Sequence, residues 1–197
     1  YYYNQSGRTE LAVSPAQPEW LYAVMSTGGL RGVFKSEDHG DSFTLVLDGD
    51  TLNLLDWNAN GSGTGGQGYY DLAMTVSPFD ASEVFVGGIN TWKSNDGGTT
   101  WAISNLGGSH PMADHAHSDK HALTFRPDGT LFEGNDGGIY ISTDHGEHWN
   151  DITGGIAISQ MYRLAVSQSE KDVMTAGLQD NGTKMNSSLT WTDVTGA

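Results

Sequence analysis

The chain has 197 residues, of which 24 are acidic and 9 are Lys or Arg, giving a net charge of −15. This charge disfavours nucleic acid as a partner, because phosphate binding draws its affinity from clustered Lys and Arg. There is no cysteine, so disulfides, zinc–thiolate sites and thiol catalysis are excluded. The longest apolar run, 20–25, is far shorter than the roughly 20 residues that span a bilayer, so we expect no membrane insertion.

Short extended segments rich in β-branched and aromatic residues recur along the chain in four sets, separated by Gly and Pro. First strands are predicted at 11–15, 72–78, 122–127 and 163–167. Second strands are predicted at 21–25, 84–87, 130–133 and 173–176. Third strands are predicted at 33–35, 91–93 and 139–141. A fourth strand closes each set. This spacing predicts an all-β chain of four-stranded antiparallel β-propeller blades, within a single segment 1–197 whose blades cover 9–50, 70–106, 119–153 and 161–195.

The connection from the third to the fourth strand repeats the pattern S-x-D-x-G-x-x-(W/F), which we call the acidic turn. Three copies occur, at 36–43, 94–101 and 142–149. A worn fourth copy ends at Trp191, with Asn186 and Ser188 in place of the Asp and the Gly. An Asp side chain can accept bonds from the turn's backbone, and Gly supplies a positive φ. Because the pattern recurs, we interpret these Asp residues as structural rather than catalytic or calcium-binding.

In an up-and-down blade, the acidic turns lie at one end, and the opposite end collects the second-to-third loops and the links between blades. We call this opposite end the loop end. The link at 110–121 reaches it and contains four histidines and two aspartates. In an extended chain, alternation would point His115, His117, Asp119 and His121 to one side. They could ligate zinc or another divalent cation such as calcium; alternatively, they hydrogen-bond one another and the neighbouring blade.

Two loops at this end carry acidic residues beside Gly, at 135–138 and 179–182. Their polar side chains can accept bonds from sugar hydroxyls or bind a cation, although the same dipeptides are common in plain hairpin turns. Aromatic rings near these loops can stack on sugars or pack between blades. These rings belong to Trp57, Tyr69, Tyr70, Trp92, Tyr140 and Tyr162. The candidate ligand-binding residues are Asn135, Asp136, Gln179, Asp180, Asn181, Tyr162, Trp57 and Tyr70. A Gly-rich insert at 58–68, which we expect to be flexible, separates Trp57 from Tyr70.

The acidic turns resemble the Asp-box, or BNR, repeats of sialidases, sortilin-type receptors and two-propeller xyloglucan-degrading glycoside hydrolases. The stretches 117–123, 134–140 and 177–182 are similar to bacterial secreted proteins described as BNR-repeat or sortilin-like glycosyl-hydrolase-type propellers. The resemblance implies a secreted or cell-surface bacterial protein in a propeller with more than four blades, the others coming from this or another polypeptide. The alternative is a complete ring of four blades, the smallest number usual for a propeller. The chain begins Tyr1-Tyr2-Tyr3, and we interpret it as a mature product or an excerpt.

Two functions remain open at this point. One is a non-catalytic extracellular propeller that binds a polysaccharide or a partner protein at the loop end. The other is a glycoside hydrolase with two carboxylates. The resemblance implies Asp136 as one of them, because Asn135-Asp136-Gly137-Gly138-Ile139-Tyr140 resembles the Asp-x-Gly-Gly-x-Tyr stretch that carries an acidic catalytic residue in the xyloglucan-degrading enzymes, with Asp180 or Asp119 as its mate. In those enzymes the two carboxylates come from separate propellers, whereas this chain shows one set of blades.

Overall fold

The computed structural model describes residues 7–108, 113–156 and 158–194, and these contain seventeen strands in four sheets. The first blade is β1 (Arg8–Ser14), β2 (Gln17–Ser26), β3 (Leu30–Ser36) and β4 (Thr44–Asp48). The second is β5 (Ala73–Val76), β6 (Val84–Gly87), β7 (Thr91–Ser94), β8 (Ala102–Leu106) and β9 (Asp114–His115). The third is β10 (Lys120–Phe125), β11 (Leu131–Asn135), β12 (Gly138–Ser142) and β13 (Asn150–Asp151). The fourth is β14 (Met161–Val166), β15 (Met174–Leu178), β16 (Thr183–Ser187) and β17 (Thr190–Asp193).

Strands one to four of every blade are neighbours in sequence order and pair antiparallel, which confirms the predicted all-β, four-stranded units. The chain divides into two compact units. The first ends at Gly154 and contains three blades, and the second begins at Gly155 and contains the fourth. No helix in the described part of the chain has the length and apolar character that a membrane span requires.

The second blade is buried on both faces, because its inner strands place apolar side chains alternately on opposite sides. On β6, Val84 and Val86 join the core shared with the first blade, and Phe85 between them joins the core shared with the third. On β5, Met74 joins the core shared with the first blade, and Ala73 joins the core shared with the third. Uninterrupted apolar runs in these strands therefore reflect burial between two neighbouring blades.

The predicted link at 110–121 contains a strand that the sequence analysis did not anticipate. Asp114 and His115 form β9, which pairs in parallel with Asn105 and Leu106 of β8 and adds a fifth strand to the second blade. The carboxylate of Asp114 also accepts the backbone N–H of Trp149 at 2.8 Å. The strand is thus held by the second blade on one side and the third blade on the other. His110 lies outside the described residues.

The three complete acidic turns share one hydrogen-bond pattern. In the second copy, Ser94 Oγ donates to Asp96 Oδ1 (2.9 Å) and accepts from Gly98 N (2.9 Å), and Asp96 Oδ1 also accepts from Thr100 N (2.8 Å). The turn glycines have φ values of 92°, 91° and 79° at Gly40, Gly98 and Gly146. These geometries confirm a hairpin turn between third and fourth strands in which the Asp side chain satisfies local backbone groups.

The worn fourth copy has a different structure. Strands β16 and β17 pair directly up to Ser187 and Thr190, so only Ser188 and Leu189 form the turn, with φ values of 55° and 66°. Two successive positive φ values are typical of a tight two-residue hairpin. The interpretation of this segment as another acidic turn is therefore wrong, because replacing both the Asp and the Gly removes the groups that close the longer loop.

Acid should weaken the fold through these turns. Hydrogen bonds from Ser42 and Ser36 hold the pKa of Asp38 at about 2, below its ordinary value of 3.8. A carboxyl whose pKa is lower in the folded chain contributes stability that is lost as pH falls through that pKa. The free energy of unfolding, measured with urea at a series of pH values, should therefore decrease from about pH 4 to pH 2, and less steeply in Asp38→Asn. Asp41→Asn removes an exposed carboxylate from the same turn and should keep the wild-type slope; equal slopes in both variants would contradict the prediction.

Candidate functional site

The loop end of the first unit brings the histidine-bearing link against the second-to-third loop of the third blade. His121 Nε2 lies 2.8 Å from Asp136 Oδ1. Gly137 packs against the His117 ring so closely that an added Cβ would collide with it. The link and this acidic loop therefore emerge at the same end of the molecule, as the order of the strands predicted.

A buried lysine organises this end. Lys120 is fully buried, and its Nζ donates to the backbone oxygens of Ile89 (3.2 Å), Ala116 (3.2 Å) and His117 (2.6 Å). These oxygens belong to the second-to-third loop of the second blade and to the link, so one ammonium group holds both segments. Desolvation lowers the pKa of Lys120, and the nearby Glu133 opposes that shift.

Glu133 is the anionic partner of Lys120 and is fully buried beside it. Its Oε1 lies 3.6 Å from Lys120 Nζ. Its Oε2 accepts from Thr91 Oγ1 (2.6 Å) and Asn105 Nδ2 (2.8 Å), and Oε1 also accepts from Asn135 Nδ2 (3.0 Å). Buried charges are tolerated where such bonds satisfy them.

Asn135, which was predicted to contact ligand, is almost fully buried. Its amide nitrogen donates to Glu133, and its amide oxygen accepts from Gly137 N at 3.0 Å. Both ends of the side chain are therefore used inside the blade. In this structure Asn135 shapes the turn that presents Asp136.

Two further carboxylates meet at one amide group. Gln67 Nε2 donates to Asp119 Oδ1 (2.6 Å) and to Asp71 Oδ2 (3.2 Å). Asp71 is fully buried and Asp119 nearly so. Burial raises the pKa of Asp71 to about 7, and the negative charge of Asp119 adds to this rise while Gln67 opposes it. A buried carboxyl group with a raised pKa thus lies beside a second, nearly buried carboxyl group.

Asp136 is the more accessible acid of the group. Its side chain remains 15% exposed beside His121, whose ring also makes an edge-on contact with Tyr70 at 4.8 Å between centroids. One carboxylate oxygen of Asp136 lies within 4.8 Å of one from Asp119. We call Gln67, Asp71, Asp119, His121 and Asp136 the acidic cluster.

The four predicted ligands of a zinc-type site do not converge. Within the described residues, no three of His115, His117, Asp119 and His121 bring ligand atoms within 4.8 Å of one another. His115 is exposed on β9, and His117 Nδ1 is 3.1 Å from the Ser118 backbone oxygen. The predicted alternation fails because the chain is not extended here: residues 116–119 lie outside any strand, and Asp119 has a φ of 66°.

The candidate aromatic residues divide into two groups. Trp57, Tyr69 and Tyr70 are exposed, with 61%, 70% and 47% of their surface accessible. Trp92 and Tyr140 are buried in the cores between blades, which corresponds to the packing alternative. The segment that carries Trp57 reaches the loop end, because Asn90 Nδ2 donates to the Asp56 backbone oxygen at 3.4 Å.

The Gly-rich insert is pinned by hydrogen bonds, whereas the sequence suggested a flexible excursion. Asn53 Nδ2 donates to the backbone oxygens of Gly63 (2.9 Å) and Gly65 (2.6 Å), and Asp56 Oδ2 accepts from Gly63 N (2.6 Å). A polar groove of about 480 Å³ lies between the insert and the second-to-third loop of the first blade. The insert therefore presents Trp57 and Tyr70 from a hydrogen-bonded loop.

In the second unit, the predicted loop connects β15 and β16 and is closed by Leu178 N donating to the Gly182 oxygen at 2.9 Å. Gln179 Nε2 donates to Asp180 Oδ2 (2.7 Å), and Asn181 Nδ2 donates to the Gln179 oxygen (3.1 Å). Tyr162 is exposed on β14. The roles of these four residues in ligand binding or catalysis remain predictions.

Sequence reasoning did not single out Gln67, Asp71, Lys120 and Glu133. The sequence does contain a signal for two of them, Asp71 and Lys120. Arg8, Asp71 and Lys120 each stand seven residues before the proline that ends the first-strand segment of their blade. An ionisable residue that recurs at this position in three blades indicates a polar network at that end. Arg8 fits this reading, since it donates to the Tyr70 and Leu72 oxygens of the next blade at 2.6 and 2.9 Å.

Comparisons with known proteins support the fold. No family model matches the chain. A probable oligoxyloglucan-reducing end-specific xyloglucanase of Neosartorya fischeri is 26% identical over 167 residues, which cover 77% of this chain and 18% of that protein. The crystal structure of a GH74 enzyme of Niastella koreensis aligns with a TM-score of 0.53 and 23% identity over 94% of this chain and 29% of that one. The GH74 xyloglucanase of Xanthomonas campestris aligns with a TM-score of 0.53 and 17% identity, and the alignment covers 96% of this chain and 30% of that one.

These similarities identify the blades as a β-propeller architecture of the kind found in glycoside-hydrolase-like proteins. The chain spans less than a third of the length of each of these relatives. At these identities, similarity to the solved structures establishes the fold, and function must be argued from the site.

Proposed function

We propose that this chain is part of an extracellular β-propeller that binds a polysaccharide across its loop end. The observation that carries the proposal is the set of exposed aromatic rings of Trp57, Tyr69 and Tyr70, of which Tyr70 contacts His121 of the acidic cluster. Flat rings stack on the apolar faces of sugars, and nearby carboxylates accept bonds from sugar hydroxyls. The xyloglucanase relatives favour a β-glucan backbone as the polymer. Further blades, from the same or another polypeptide, extend this surface.

Removing one stacking ring tests the binding surface. Trp57→Ala should raise the Kd for xyloglucan oligosaccharides about tenfold, because a lost ring contact of about 1.4 kcal/mol corresponds to that factor. Isothermal titration calorimetry on the full 197-residue chain measures the change. Phe79→Ala is the matched control, since Phe79 is equally exposed but follows the first strand of its blade, at the acidic-turn end. Equal losses in both variants, or no binding to any glycan in a broad panel, would contradict a polysaccharide and favour a protein partner.

A second function, hydrolysis of the bound glycan, is favoured by the close approach of two carboxylates in the acidic cluster, Asp119 and Asp136, whose oxygens lie within 4.8 Å of each other. Glycoside hydrolysis uses one protonated and one ionised carboxyl group, and Asp136 is the acid with access to a substrate. Asp119 lies near it, and Asp180 remains the other predicted mate.

If the chain hydrolyses glycan, Asp136→Asn should lower the release of reducing ends by about 10²-fold or more while glycan binding persists. Asp80→Asn, at an exposed carboxylate of the acidic-turn end, should leave the rate unchanged. No turnover by the wild-type chain on the same panel would leave binding as its function.

A further inference from the structure

The first blade carries a polar groove at its loop end, between the second-to-third loop, the turn that follows β4 and the Gly-rich insert. The exposed rings of Trp57, Tyr69 and Tyr70 do not line it. Its volume is about 480 Å³, within the range of roughly 300–1,000 Å³ that is usual for small-molecule sites. The groove is therefore large enough to receive a small ligand at a place separate from those rings.

One buried side chain holds the walls of this groove together. Asn53 is only 3% exposed, and its Oδ1 accepts from Leu30 N (2.8 Å) and Leu55 N (3.1 Å). Its Nδ2 donates to the backbone oxygens of Gly63 and Gly65 in the insert. All four hydrogen-bonding positions of the amide are thus used to join the insert to the blade. The groove is formed before any ligand arrives, which lowers the entropic cost of binding.

Part of the lining is backbone that cannot carry a side chain. A Cβ at Gly29 would lie 2.9 Å from the Thr64 backbone oxygen, and a Cβ at Gly49 would collide with the Leu30 backbone oxygen. Glycine at these two positions lets the walls of the groove come close together. It also lets a ligand approach the main chain directly.

The side chains that line the groove suit a ligand with many hydroxyl groups. Four of the lining residues are exposed and carry hydroxyls that have no hydrogen-bond partner in the part of the chain that the structure describes. These residues are Thr27, Thr51, Ser62 and Thr64. A hydroxyl group both donates and accepts, so each of them can form hydrogen bonds with an alcohol group of the ligand.

The charges of the lining disfavour an ionic ligand. Arg31 brings one positive charge and Asp50 one negative charge, so the lining residues have no net charge. No aromatic residue lines the groove in the described ranges, which disfavours a ligand that binds by stacking. The ligand that fits this lining best is neutral, compact and rich in hydroxyl groups.

We propose that the groove binds one unit of a neutral sugar through hydrogen bonds. The insert connects this subsite to the nearest stacking ring, because Gly63 N donates to Asp56 Oδ2 at 2.6 Å and Asp56 precedes Trp57. A glycan that stacks on Trp57 can thus place another of its units in the groove. This last step rests on the proposed polysaccharide binding, whereas binding of a single sugar in the groove does not.

NMR spectroscopy of the ¹⁵N-labelled, full 197-residue chain tests the groove directly, with glucose and glucuronate titrated separately. With glucose, the amide signals of Gly49 and Gly63, which line the groove, should shift. The signal of Gly40, in the acidic turn at the other end of the same blade, should not. A stronger response to glucuronate than to glucose would overturn the assignment of a neutral sugar.

Filling the groove should abolish this response. Thr51→Trp and Ser62→Trp place an indole in the groove from the blade side and from the insert side. Both positions are exposed, so neither substitution disturbs the core. Thr143→Trp, at an exposed threonine of the third acidic turn, is the matched control and should respond to glucose like the wild type. The proposal is overturned if the Gly49 and Gly63 signals do not respond to glucose, or if both filled variants still respond.

Calorimetry with xyloglucan oligosaccharides separates this proposal from the proposed function. Thr51→Trp should raise the Kd about tenfold or more, because the oligosaccharide loses one subsite, and Thr143→Trp should leave it unchanged. Oligosaccharide binding that depends on Trp57 but not on Thr51 would overturn the subsite and leave the polysaccharide function standing. A response to glucose in the groove without any oligosaccharide binding would support the subsite and contradict the polysaccharide function.

Discussion

Lys120→Met should lower the free energy of unfolding by about 3–5 kcal/mol, the usual cost of breaking a buried ion pair from one side. The substitution keeps the length and apolar stem of the side chain but removes the ammonium. Glu133 is then left as a buried carboxylate without its cation, and the oxygens of Ile89, Ala116 and His117 lose their donor. Urea denaturation followed by tryptophan fluorescence measures the loss.

A double-mutant cycle separates the ion pair from the rest of the network. Glu133→Gln alone should also be strongly destabilising, because it leaves Lys120 charged and buried. The double variant Lys120→Met/Glu133→Gln should lose about 1–3 kcal/mol less than the sum of the two single losses, as expected for groups in direct contact. Lys171→Met, at an exposed lysine, is the control and should change stability by no more than about 0.5 kcal/mol. Additive losses in the cycle would show that the two charges do not stabilise each other.

The strands and acidic turns were predictable because their determinants are local. Each strand is indicated by a run of apolar and β-branched residues. Each acidic turn is indicated by a Ser, an Asp and a Gly within five residues, and in the folded turn the Ser hydroxyl hydrogen-bonds both of the others. The wrong prediction of an acidic turn ending at Trp191 also has a local cause. Once Asn186 and Ser188 replace the residues that close the longer loop, the strands continue into a two-residue hairpin.

The acidic cluster was only partly predictable, because its contacts join distant parts of the chain. Gln67 and Asp119 are 52 residues apart, and neither belongs to a motif that indicates the other. The prediction for the link assumed an extended chain, but Asp119 has a positive φ, and its carboxylate accepts a hydrogen bond from Gln67. By contrast, the pairing of His121 with Asp136 joins two of the predicted site residues.

Trp149→Ala should cost about 3–5 kcal/mol of unfolding free energy, the range for emptying the site of a buried aromatic side chain. Trp149 closes the third acidic turn and is only 7% exposed. Its Nε1 donates to Ser104 Oγ at 3.0 Å, and that hydroxyl donates to the Gly146 oxygen of the same turn at 2.6 Å. The ring therefore fastens the third blade to the fourth strand of the second.

The matched comparison is Phe43→Ala, at the same position of the first acidic turn. The second and third acidic turns pack against the blade before them: Gly98 approaches Val46 of the first blade, and Gly146 approaches Phe85 of the second. Within the described residues no blade precedes the first, and Phe43 is 40% exposed. Its removal should cost about 1 kcal/mol or less, because much of the ring is already in water. Similar losses for Trp149→Ala and Phe43→Ala would mean that the closing aromatic stabilises its own hairpin rather than the contact between blades.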